Sequence, residues 1–292
     1  MTGSGTGARW DWYQATIRAP AEQVEADLLT WFGSSWVEEA QARLGFGRGY
    51  TVRDRNGRRA AVQDGGRNVW PNVTGSGEDA PAVADFLRAV YPEHEVTRFD
   101  SCVDTDGTGS GAWGSITSAL LSVVEQPRSG PEVKVSMHGD WREGRGEDGR
   151  TLYLGATSSA VRIRAYEKGK QLRSTGAERP ERVPLDAVRV EVQVRPSGQA
   201  RKRAARVDPM DAWRFSRLAA DVAGRLFDAG DLSTIRVRDV RASDDDRALR
   251  FMIEQYGAML ERQAQYRGGF AALWRTIERR LGVAPGGAEP QF

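Results

Sequence analysis

Cysteine is nearly missing from this 292-residue chain. Cys102 stands alone, which excludes a disulfide framework and a thiolate zinc cage. Histidine is almost as scarce: His94 and His138 lie far apart, so no histidine-pair metal motif exists. Any metal must be held largely by carboxylates, a donor set suited to Mg²⁺ or Mn²⁺ rather than zinc. Lysine is confined to Lys134, Lys168, Lys170 and Lys202, and all other basic residues are arginine. Arginine grips phosphate with two parallel hydrogen bonds, although a genome rich in G and C also replaces Lys by Arg. No apolar run approaches the ~18 residues a membrane span needs. Met1–Gly7 has no apolar segment of the secretory kind, so no membrane partner and a cytoplasmic setting are expected. The net charge of +2 does not announce a nucleic-acid binder. With 39% hydrophobic and 28% charged residues, the composition is that of an ordinary soluble globular protein.

The hydrophobic periods divide the chain. Alternation predicts strands over about 9–19, 49–54, 58–63, 68–74, 96–104, 132–140, 151–157, 161–167 and 187–195. Asn56-Gly57 marks a hairpin turn between the second and third of these. Helical stripes predict helices over about 21–32, 80–90, 113–125, 209–229, 244–266 and 270–281. Ser243 and the acids Asp244–Asp246 suit a helix N-terminus, where a cap oxygen and negative charge satisfy free N–H groups. The charged loop Trp141–Arg150 and the polar stretch Gly169–Pro184 read as connections. The organisation is a flexible leader (1–8), a mixed α/β core (9–196), a basic linker (197–207), a helical C-terminal region (208–282) and a disordered tail (283–292).

Strand faces carry the chemical signal, because every second side chain points the same way. One face collects Arg98, Asp100, Cys102 and Asp104; Lys134, Ser136 and His138; Thr151 and Tyr153; Arg162, Arg164, Tyr166 and Lys168; and Arg189, Glu191, Gln193 and Arg195. An antiparallel sheet with one wet face alternates this way without any function. Generic solubility residues would then be expected, whereas acids, phenols and paired guanidiniums occur. Carboxylates gathered closely are unfavourable unless a cation bridges them. Cys102 reads as a small buried filler.

The ordered segments Arg98-Phe99-Asp100-Ser101-Cys102-Val103-Asp104, Thr151-Leu152-Tyr153-Leu154-Gly155, Arg162-Ile163-Arg164-Ala165-Tyr166-Glu167-Lys168-Gly169 and Arg189-Val190-Glu191-Val192-Gln193-Val194-Arg195 resemble the Rep_trans replication initiation family, the rolling-circle initiators of phages and plasmids and related relaxases. Val73–Gly77 adds a similar strand end, and the likeness spans about Trp10 to Arg195. It implies an α+β fold: a relaxase-like central antiparallel sheet with helices packed on one face, followed here by a helical C-terminal portion. The implied activity is nicking and rejoining of one DNA strand at an origin through a 5′-phosphotyrosine intermediate, which makes residues 9–196 the nicking domain. The resemblance makes Tyr166 the nucleophile. Asp100 and Glu191, with Asp104 as a third candidate, become carboxylate ligands of Mg²⁺ or Mn²⁺.

The residue chemistry agrees with that role. A phenol attacks poorly until deprotonated, and cations favour the phenolate. Lys168 on the same expected strand face serves that end, and Arg164 and Arg162 grip phosphate oxygens. Arg195 and Tyr153 extend the DNA contact, Arg201, Lys202 and Arg203 track duplex backbone, and His138 is a candidate metal ligand or proton shuttle. Expected partners are single-stranded and duplex origin DNA, with a host helicase and a second copy of the chain as further candidates. Two other readings stay open: an origin-binding regulator without nicking, and a metal-dependent nuclease using water.

Overall fold

The computed structural model describes residues 7–126, 132–141, 149–176, 180–227, 234–235 and 244–281. Most of the leader, the charged loop at 142–148, Ser243 and the tail lie outside the described residues. The chain divides into two compact units, Met1–Asp239 and Val240–Phe292.

Ten strands of the first unit form one antiparallel sheet: β1 (Arg9–Thr16), β2 (Val37–Ala40), β3 (Arg48–Arg53), β4 (Arg59–Asp64), β5 (Asn72–Ser76), β6 (Glu95–Thr105), β7 (Val135–His138), β8 (Thr151–Leu154), β9 (Val161–Glu167) and β10 (Val188–Val194). Their spatial order is β2-β3-β4-β5-β1-β6-β10-β9-β8-β7. Helices α1 (Ala21–Phe32), α2 (Ala80–Val90), α3 (Trp113–Glu125) and α6 (Arg217–Phe227) contribute Val24, Leu28, Phe86, Leu87, Ile116, Leu120 and Val222 to a single core with the sheet. The α+β architecture expected from the sequence is the one observed.

β10 sets the register. Val188, Val190, Val192 and Val194 are fully buried in the core, each worth roughly 1.5–3 kcal/mol of burial. A slip of one residue would drive Arg189, Glu191 and Gln193 into hydrocarbon. Yet those three polar side chains are themselves 4%, 1% and 8% exposed. The polar face is not wet at its centre, because long neighbouring side chains roof it.

Several elements differ from the sequence reading. In β1 the pairing shifts between Trp10 (opposite Ser101) and Trp12 (opposite Asp100), a bulge that leaves Asp11 extra. Strict alternation would place Trp10 and Trp12 on one face; instead Trp10 joins Tyr13 in the core. β2 was not anticipated. The polar stretch after β9 opens as helix α4 (Lys168–Ser174), so Lys168 is not on a strand. The basic segment is not a bare linker: it contains α5 (Ala200–Ala204), with Ala200 and Ala204 fully buried. Alanines four apart make a narrow apolar stripe that the flanking charges obscure. The expected helix over 209–229 is split at Ser216, whose Oγ accepts the Ala219 N–H at 3.0 Å and caps α6. In the second unit, α7 (Asp244–Arg267) packs on α8 (Phe270–Leu281) across the Gly268-Gly269 break.

Candidate active site on the polar face of the sheet

Cross-strand register arranges the polar face in three rows. The first runs Asp104–Arg189–Tyr166–Thr151–His138, the second Cys102–Glu191–Arg164–Tyr153–Ser136, and the third Asp100–Gln193–Arg162. Tyr166 and Glu191 are diagonal neighbours on adjacent strands. Tyr166 Oη donates to Glu191 Oε1 at 2.7 Å, and both side chains are buried.

The surroundings are polar. The Arg164 guanidinium lies 3.9 Å from the centre of the Tyr166 ring and 3.7 Å from Glu191 Oε2. Lys168 Nζ approaches the ring at 5.6 Å but bonds Gln171 at 3.0 Å. Burial, then the Glu191 charge, raise the Tyr166 hydroxyl well above the usual phenol range. Burial, reinforced by Asp11 and opposed by Arg164, pushes the Glu191 carboxyl up to about 7. A carboxylate poised near neutrality and hydrogen-bonded to a phenol is an apt proton acceptor. Burial and then Arg189 lower the Lys168 ammonium.

The structure does not gather Asp100, Asp104 and Glu191. Asp100 and Asp104 are four residues apart on one strand, about 13 Å at the strand rise, too far to share one ion. Asp104 is gripped by Arg189 at 2.5 and 2.7 Å and by Arg9 at 2.7 Å. Burial alone would lift its carboxyl; these guanidiniums outweigh burial and hold it below the usual range. Asp100 accepts from Arg98 Nε at 2.9 Å and Gln193 at 3.2 Å, while burial raises it. Among the described residues, no three His, Cys, Asp or Glu side chains surround a common point for a metal. The donor set read from the sequence therefore does not fit a cation site as arranged. Burial pushes the Cys102 thiol up to about 12, which makes it inert.

Arg162 lies 3.7 Å over the Tyr153 ring, whose edge meets His138 at 5.5 Å between centres. The Nε atoms of Arg162 and Arg164 are buried without a hydrogen-bond partner. Burial and the neighbouring charges of Arg98 and Arg162 depress Arg195. Guanidiniums that crowd one another, some with donors unmet, favour an anion between them. His138 is exposed on edge strand β7, two strands from Tyr166 and clear of its hydroxyl. Arg201 and Lys202 line a separate pocket of about 580 Å³ with Arg18, Glu95 and Gln199; with Arg203 they sit on α5, at the opposite end of the sheet.

Sequence reasoning missed Asp11, which the bulge turns onto the polar face. It accepts from Arg189 Nη1 at 2.5 Å. Trp12, stacked 4.5 Å from the Arg98 guanidinium, was missed for the same reason. No composition signal marks a one-residue bulge.

This ten-stranded sheet has the fold of a rolling-circle replication initiator. It matches the solved structure of the rolling circle replication initiator protein from Geobacillus stearothermophilus at 20% identity and a TM-score of 0.51, over 82% of this chain and 90% of that one. Residues 94–205 match the model of the Rep_trans family, replication initiation factor. That region contains every residue of the three rows, and the four motifs read from the sequence lie within it. No curated protein matches the chain.

Proposed function

We propose that this protein nicks and rejoins one DNA strand at a replication or transfer origin, with Tyr166 as nucleophile and Glu191 as its proton acceptor. The observation that carries this reading is the 2.7 Å hydrogen bond between the two buried groups. Tyr166 Oη attacks the scissile phosphorus as its proton passes to Glu191, and the bond to the 3′-oxygen of the upstream strand breaks, that oxygen taking a proton from solvent. The products are a 5′-phosphotyrosine and a free 3′-OH, and reversal rejoins the strand. Arg164 is placed to follow the developing charge from phenol to phosphate. Access requires Arg164 to swing off the Tyr166 ring, and its side chain is 28% exposed. Arg162 and Arg195 hold a neighbouring phosphate, and Tyr153 and Trp12 offer faces for unpaired bases. Initiators of this kind are typically metal-dependent. Of the three carboxylates expected to hold Mg²⁺ or Mn²⁺, only Glu191 touches Tyr166; Asp104 is held by Arg189 and Arg9, and Asp100 by Arg98 and Gln193.

The test uses a labelled single-stranded origin library with Mn²⁺. Tyr166→Phe abolishes both cleavage and covalent product, and Glu191→Gln slows both by roughly 10²–10⁴-fold. Retained cleavage in Tyr166→Phe would transfer the chemistry to water. The 4% exposure of Tyr166 favours one other reading, an origin-binding regulator without nicking; it predicts binding by the wild type and no cleavage under any of these conditions.

A further inference from the structure

The β2–β3 and β4–β5 loops, at the end of the sheet away from Tyr166, are tied into one rigid tip. Arg67 N donates to Gly45 O at 3.1 Å, Gly47 N to Asp64 O at 2.9 Å, and Asn68 Nδ2 to Leu44 O at 3.3 Å. Gly66, at φ +68°, packs so closely that a Cβ there would meet Gly45 O at 2.5 Å. This framework holds apolar side chains outward: Leu44 is 83% exposed and Val69 is 81% exposed, with Trp70 beside them. Leu44 is also the single non-glycine residue with positive φ among the described residues, at 54°. Such a conformation is unfavourable for leucine and persists only where the surroundings impose it.

The two loops themselves carry charge of one sign. No acid occurs from Gln41 to Gly47 or from Gly65 to Asn72, and neither Arg43 nor Arg67 forms an ion pair among the described residues. Apolar side chains held out rigidly between unpaired guanidiniums suit duplex DNA, where a wedge enters a base step and arginines take flanking phosphates. We infer that this tip is a second DNA contact, seating Leu44 and Val69 against a base step of duplex DNA with Arg43 and Arg67 on the phosphates.

Position supports this occupant. The row at the tip end of β6 begins at Glu95 and the Tyr166 row crosses β6 at Asp104. That separation, with the four to seven strand spacings between β9 and the strands of the tip, comes to on the order of 40 Å, slightly more than one turn of duplex. The basic pocket of Arg18, Arg201 and Lys202 lies at the same end of the sheet.

The inference rests on the DNA-processing reading but is tested without nicking. The full chain is titrated into a short random-sequence duplex carrying a fluorophore at each end, over a salt series. Arg43→Gln with Arg67→Gln weakens binding about tenfold and reduces the salt slope by about two. Leu44→Gly with Val69→Ser keeps the salt slope but loses the DNA bend, read as reduced energy transfer. Its melting temperature does not fall, because glycine accepts the left-handed conformation. Both double variants cleave a short single strand like the wild type. Wild-type duplex affinity and energy transfer in both folded variants overturns the inference. So does loss of self-association or of a protein partner with duplex binding intact. If the chain cleaves nothing while the tip variants still lose duplex binding and bending, the nicking reading fails and the wedge stands.

Discussion

The phenol of Tyr166 and the carboxyl of Glu191 are both shifted upward, the phenol by far the more, so the shared proton stays on the phenol oxygen until a phosphate arrives. The direction of the Glu191 shift has two consequences. Glu191 must be ionised to accept a proton, so the nicking rate rises with pH to a plateau above about 7, and Glu191→Gln lacks that rise. For stability the sign is opposite. The folded carboxyl binds its proton more tightly than the unfolded one, so this contribution is intact below about 4.5 and is lost as pH rises through about 7. Glu191→Gln therefore gains stability relative to the wild type between pH 5 and pH 8, by about 3 kcal/mol at most. Parallel thermal melts at the two pH values check this, and a constant difference would contradict it.

Asp104 gives the complementary residue-scale prediction. Its partner Arg189 is buried and, among the described residues, retains Asp11 as its one ion pair once Asp104 is neutralised. Asp104→Asn destabilises the fold by about 2 kcal/mol, below the cost of an orphaned buried charge because Asp104 is partly exposed. It leaves covalent DNA linkage in place. Loss of linkage at an unchanged melting temperature would return Asp104 to the chemistry.

At the scale of elements, the alternation Val188–Val194 and Val161–Glu167 was legible because each strand turns one face into the hydrophobic core, and hydrocarbon on alternate positions has no other use. The candidate site was legible to the same extent: Tyr166, Glu191, Arg164 and Arg162 share a face once those strands are antiparallel. Which oxygen meets which was not legible. It depends on the register of strands 25 residues apart, set by packing on the opposite face. The β1 bulge was hidden because an extra residue changes no composition, and α4 was hidden because Lys168–Ser174 is short and polar. The junction of β9 and α4 depends on Gly169, where a Cβ would meet the Pro184 carbonyl oxygen at 2.0 Å. Gly169→Ala must push that backbone away, costing about 2–3 kcal/mol and moving Lys168 off the Tyr166 ring. Calorimetry that finds an unchanged melting temperature would contradict this close packing.

Across the whole molecule, one sheet carries Tyr166, the proposed nucleophile, in a roofed polar patch, an arginine track leading from it, and an apolar tip at the far end. The track makes a quantitative prediction. Arg162 and Arg195 each release counterions from a bound strand, so Arg162→Gln with Arg195→Gln lowers the salt slope of single-strand binding by about 0.7 per arginine. An unchanged slope would remove both from the DNA path. The central claim is that this chain becomes covalently joined to DNA through one tyrosine. Peptide mass spectrometry of the protein trapped on a cleaved single strand tests it most directly. A nucleotide mass is expected on the peptide containing Tyr166; the same mass on Tyr153 or another tyrosine, or strand cleavage with no modified peptide, would contradict the proposed chemistry.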